Sequence, residues 1–119
     1  MPRRKAAKNC DIKPWLSARA DCLEGRFIQL GNSLLLSDAF QQLSSGAQML
    51  YLCMALEAGG RREYSFPLAS AKKYGIAPRS FRRYASELIA CGFVECSSGW
   101  NTRTLNEYSF SFSWKGRPP

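Results

Sequence analysis

From Arg79 onward, Phe81, Tyr84, Ala85, Leu88 and Ile89 fall on one stripe at the 3.6-residue period. Arg79, Arg82, Arg83 and Ser86 fall on the other. A segment divided in this way forms a helix that lays its apolar stripe on a core and turns a basic face outward, so the spacing predicts a helix from Pro78 to Cys91. Pro78 suits its first turn and Gly92 ends it. The neighbours on both sides are constrained as well. Upstream, Pro67 opens a helix from Leu68 to Tyr74, and Gly75 supplies a left-handed cap with Ile76 as its hydrophobic follower. Downstream, the period changes from 3.6 to 2. Phe93-Val94-Glu95-Cys96 begins a strand, a polar stretch from Ser97 to Thr104 follows, and Tyr108, Phe110, Phe112 and Trp114 then alternate with Glu107, Ser109, Ser111 and Ser113. The two pieces make a hairpin with a long tip, and the aromatic stripe is expected in the core rather than as a base-stacking platform, which needs exposed aromatics among basic neighbours.

The first half of the chain supplies the support for this unit. Ser37 caps a short helix with Phe40 and Leu43 inward, and Ser45-Gly46-Ala47-Gln48 fits a capping box. The following run is apolar nearly all round (Ala47, Leu50, Tyr51 and Met54 on one face, Leu52, Cys53 and Leu56 on another), which marks a central buried helix, stopped by Gly59-Gly60. Glu63 to Phe66 is one short strand, and Phe27 to Leu30 is a short strand or an extended lead-in before Gly31-Asn32. Residues 1–25 have no sustained period and read as a basic, loosely ordered arm with one short turn around Trp15 to Asp21. The expected domain runs over 26–115, with a tail at 116–119.

Composition narrows the function classes. The 119 residues suit one domain, and 45% apolar residues with 15 aromatics supply a core. Seventeen Lys and Arg against nine Asp and Glu give a net charge of +8, a balance that favours polyanionic partners. The basic residues fall seven in 1–30, none in 31–60 and ten in 61–119. Histidine is absent, which removes the usual general base and the triad mechanisms, so an enzyme is the least favoured reading. Five cysteines (Cys10, Cys22, Cys53, Cys91, Cys96) lack a C-x-x-C pair, so free thiols in a reducing cytoplasm are expected over a disulfide framework or a four-thiolate metal site at Cys10, Cys22, Cys91 and Cys96. No cofactor and no metal are expected. The longest apolar run, Met49 to Leu56, is far short of the ~20 residues of a membrane span. The start Pro2-Arg3-Arg4-Lys5 has no hydrophobic stretch behind it and does not read as a secretory signal.

The order helix, helix, short strand, helix, turn, basic helix, β-hairpin resembles a winged helix-turn-helix domain, an α+β fold with about four helices and a C-terminal hairpin wing. Leu43-Ser44-Ser45-Gly46-Ala47-Gln48-Met49-Leu50-Tyr51, then Tyr74-Gly75-Ile76 before a helix ending Glu87-Leu88-Ile89-Ala90-Cys91-Gly92-Phe93, is similar to the N-terminal DNA-binding domain of replication initiators from plasmids and mobile elements of Gram-positive bacteria. The same pieces are similar to winged-helix transcription regulators. The resemblance implies binding of double-stranded DNA, with the helix from Pro78 in the major groove.

Five cations lie between Lys72 and Arg83 (Lys72, Lys73, Arg79, Arg82, Arg83) with no acid among them, whereas a merely solvated face mixes signs. Arg79, Arg82 and Arg83 are placed for base edges or flanking phosphates, since Arg forks onto guanine O6 and N7. Ser80, in the first turn, suits a phosphate or a local cap. Lys72 and Lys73 suit either the DNA flank or the negative end of their own helix. Arg103 is the charge of the hairpin tip and is expected on the minor groove or a phosphate, while Trp100 beside it packs back or serves an interface. The rival readings are a winged-helix protein-interaction module and an RNA-binding winged helix, and a homodimer stays open.

Overall fold

The computed structural model describes residues 10–97 and 107–115, with the side chains of Cys10 and Asp11 excepted. The α+β class holds: five α-helices and a three-stranded antiparallel sheet make up the body, and a two-stranded ribbon precedes them. The ribbon pairs β1 (Cys10–Asp11) with β2 (Leu23–Glu24) across a 3-10 turn at Pro14–Leu16. The short turn expected around Trp15 to Asp21 is thus accompanied by a paired ribbon that the irregular sequence pattern of residues 10–24 did not announce. Trp15 and Leu16 stand out from that turn into solvent.

Next come α1 (Asn32–Leu36) and α2 (Asp38–Gln41), which share Ser37 as a joint. Helix α1 was not foreseen, because Leu34-Leu35-Leu36 has no period, and only Leu34 packs against the core. Residues Phe27 to Leu30 belong to no regular element, as an extended lead-in would. Ser37 caps α2 as expected, its hydroxyl accepting the Phe40 amide at 3.2 Å.

Helix α3 (Ser45–Ala58) is the centre of the body. Ala47, Leu50, Tyr51, Cys53, Met54 and Ala58 are buried, as a run apolar on most sides requires. Its cap corrects the sequence reading by one residue: Ser44, not Ser45, is the N-cap, and its hydroxyl accepts the Ala47 amide at 3.2 Å. Gln48 therefore falls outside a capping box, and its side-chain amide donates instead to the Phe40 carbonyl, tying α2 to α3. Gly59, with φ +62°, closes the helix in the left-handed region.

The sheet forms from β3 (Glu63–Ser65), β4 (Val94–Cys96) and β5 (Glu107–Phe110), with β5 in the middle. Tyr64 and Val94 lie on opposite sides of the β5 residues Tyr108 and Phe110, and this face packs on α3 through the 5.5 Å contact of the Tyr51 and Phe110 rings. The opposite face carries Glu63, Ser109 and Glu95 in one row. Between β3 and β4 run α4 (Leu68–Lys73) and α5 (Pro78–Ala90), joined by a tight turn at Gly75. The chain around this helix pair is closed twice: β3 pairs with β5, and Arg62 and Phe110 exchange backbone N–H to carbonyl and guanidinium Nε to carbonyl bonds of 3.0 and 2.9 Å. Phe66, Phe81 and Leu88 are buried beneath the pair. Each such side chain contributes about 1.5 to 3 kcal/mol of transfer free energy.

The C-terminal stripe departs from its alternation. Strand β5 ends at Phe110, the Ser111 amide turns to the Phe93 carbonyl at 2.9 Å, and Ser111 is buried while Phe112 is 56% exposed. Ser113 then closes a turn by donating its amide to the Ser111 hydroxyl. Trp114 rejoins the body with its ring stacked 4.9 Å from Phe93. Expected core therefore holds for Tyr108, Phe110 and Trp114 and fails for Phe112.

Candidate nucleic-acid interface

Helix α5 positions the charged groups because its other side is nailed to the core. Phe81, Ala85 and Leu88 are buried, Tyr84 and Ile89 are half-buried, and α3 lies beneath them. Arg79, Arg82 and Arg83 are thereby turned to solvent. Among the described residues none of the three makes an ion pair, although a +8 chain with nine acids has carboxylates to offer. The Arg83 guanidinium lies 5.3 Å from the Tyr84 ring centroid, which restrains its reach. Leaving three long cations unpaired on one helix face concentrates positive potential there.

The first turn of α5 adds backbone donors. Its N-cap is Ala77, which has no side-chain acceptor, and Pro78 follows. Ser80 is half-buried in this turn, and its hydroxyl takes up no hydrogen bond among the described residues, so the local-cap reading of Ser80 lacks an acceptor or donor to support it.

The two lysines of α4 part company. Lys72 is exposed and makes no ion pair among the described residues. Lys73 instead meets Glu57 of α3 at 2.5 Å, where Glu57 also accepts the Tyr74 hydroxyl at 2.7 Å and lies 3.8 Å from Arg26. The bonded Lys73 ammonium, with the Tyr74 hydroxyl second, holds the Glu57 carboxyl below the usual carboxylate range. Burial, with the bond to Glu57, pushes the Tyr74 phenol up. Lys73 is thus engaged in fixing α4 to α3. Arg103 and Trp100 lie outside the described residues.

Sequence reasoning missed a second group of cations. Arg61, Arg62 and Lys115 are exposed at the base of the sheet, and among the described residues no carboxylate pairs with them. The Arg61-Arg62 doublet before a strand was the available signal; its link to Lys115 depends on the turn after β5. Cys22, Cys53, Cys91 and Cys96 are free thiols. No helix among the described residues is long and apolar enough to cross a membrane. Compared with family models, curated proteins and solved structures, the chain matches none.

Proposed function

We propose that this chain binds double-stranded DNA as a winged helix-turn-helix, with α4 and α5 as the helix pair, α5 in the major groove and the β4 to β5 hairpin as wing, in the manner of a replication initiator or transcription regulator of a mobile element. The observation that carries this reading is the row Arg79, Arg82 and Arg83, without an ion pair among the described residues, on a helix whose opposite side is core. Arg82 and Arg83 reach base edges or phosphates, Arg79 and Ser80 take a phosphate at the helix start, and Lys72 contacts the flank. Lys73 ties α4 to α3 through Glu57, and its ammonium, 57% exposed, keeps further donors for a phosphate on the flank.

Titration with duplex DNA at two salt concentrations tests the proposal. Affinity falls steeply with salt, with a log-log slope near ~0.9 for each phosphate neutralised. Arg82→Ala or Arg83→Ala costs about 1 to 3 kcal/mol of binding if that side chain forks onto guanine, while stability stays within a few tenths of a kcal/mol. A flat salt response, or variants that bind duplex like the parent, would overturn it. Preference for RNA over duplex in the same titration would replace it with the RNA reading.

A further inference from the structure

The sharp end of β5 leaves one large aromatic side chain outside the core. Phe112 is 56% exposed, and it is held there by a stapled turn: the Ser113 amide donates to the Ser111 hydroxyl at 3.2 Å, the Lys115 amide to the Phe112 carbonyl at 3.1 Å, and the Trp114 amide to the Gly92 carbonyl at 3.3 Å. Trp114, stacked on Phe93, anchors the far side of the turn. The exposed ring is therefore set in place rather than left on a loose chain.

Two cations accompany it. The Arg62 guanidinium carbon lies 4.7 Å from the Phe112 ring centroid, and its Nε donates to the Phe110 carbonyl at 2.9 Å, which fixes the plane of the group. The Lys115 ammonium is 5.7 Å from the same centroid and 5.8 Å from the Trp114 ring. Among the described residues neither cation has a carboxylate partner. A largely exposed aromatic residue with a planar guanidinium over its ring and an ammonium nearby combines what single-stranded nucleic acid requires: an aromatic and guanidinium layer on which a base stacks, and charge for the phosphate beside it. A paired base in the interior of a duplex has both faces covered and cannot use such a layer.

The position separates this group from the row on α5. The Phe112 turn is bonded to Gly92, beyond the C-terminal end of α5, whereas Arg79 stands at its first turn. A helix of 13 residues spans about 20 Å at 1.5 Å per residue. We infer that Phe112, with Arg62 and Lys115 beside it, is a stacking site for an unpaired nucleobase, through which the chain takes up single-stranded nucleic acid at the base of its sheet. This site stands independently of the duplex reading, since it uses none of the α5 side chains.

Fluorescence anisotropy with a labelled oligo-dT of about 12 nucleotides, within the usual span of a single-strand site, and with a blunt duplex of the same length tests this. The proteins compared are the full chain and its Phe112→Ala, Phe112→Trp, Lys115→Ala and Arg82→Ala variants. Phe112→Ala weakens oligo-dT binding about tenfold, as the loss of one base stack does, and leaves the duplex unchanged. Phe112→Trp retains or tightens it. Lys115→Ala lowers the oligo-dT salt slope by about one phosphate. No oligo-dT binding by the parent, an unchanged Phe112→Ala, an equal loss on both nucleic acids, or a Phe112→Trp that falls with Phe112→Ala would each overturn the site. Oligo-dT binding without duplex binding, or an Arg82→Ala indifferent to duplex, counts against the α5 reading alone.

Discussion

The two carboxylate oxygens of Glu87 on α5 accept the hydroxyl and the backbone amide of Ser44, each at 2.7 Å, and so complete the N-terminal cap of α3 from 43 residues away. In a capping box the third helical residue reaches back to the cap amide. Here that residue is Ala47, which cannot, and a neighbouring helix supplies the carboxylate.

Glu87→Ala therefore removes two acceptors at once and destabilises the domain by about 1 to 2 kcal/mol, in the range of a lost cap. Glu87→Gln, which keeps one acceptor oxygen, loses less. Urea unfolding curves check this; equal stability of the parent and Glu87→Ala would show that the bridge contributes nothing.

The same junction reverses a familiar expectation for glycine. Alanine inside a helix is better than Gly by up to about 1 kcal/mol. A Cβ on Gly46, however, would fall within the ring of Tyr84. Gly46→Ala is expected to destabilise by roughly 1 to 3 kcal/mol through overpacking, and to become neutral or favourable in a Tyr84→Ala background. A double-mutant cycle with no coupling would sink the idea.

Acid should act through Glu57. Its carboxyl is held low in the folded state, so the unfolded chain binds the proton more readily. The resulting stability is fully present above the unfolded value of about 4.3 and is lost as pH falls through the folded value. Glu57→Gln is less stable than the parent near neutral pH, by about 1 kcal/mol, and loses less on acidification. Lys73→Ala behaves likewise, whereas Lys72→Ala changes stability by no more than about 0.5 kcal/mol. Unfolding measured across that range decides it, and parallel pH profiles for the parent and Glu57→Gln would refute it.

Where one sequence period set an element, the element was readable. The stripe of Phe81, Tyr84, Ala85, Leu88 and Ile89 located α5, and Gly59, Gly75 and Gly92 marked ends that the backbone reaches at positive φ. The short pieces were not readable, because their boundaries are set by partners distant in sequence. Ser44 outcompetes Ser45 as cap because Glu87 waits beside it. Phe112 leaves the core because the Ser111 amide finds the Phe93 carbonyl, and no alternation of residues encodes that bond. The exposed row on α5 was legible for the same reason as the helix. The pairing of Lys73 with Glu57 was not, since they stand 16 positions apart in the chain with a strand between them.

The closure of β3 on β5, doubled by the Arg62 and Phe110 exchange, bears on the thermodynamics of any encounter. Helices α4 and α5 lie inside a chain segment fastened at both ends, with α5 also pinned to α3. A ligand that settles on α5 meets side chains carried by a backbone that has already lost its freedom in folding. The ordering entropy of association then falls on the long arginine side chains and on the ligand, and uptake can proceed at an electrostatically steered rate without waiting for the protein to rearrange.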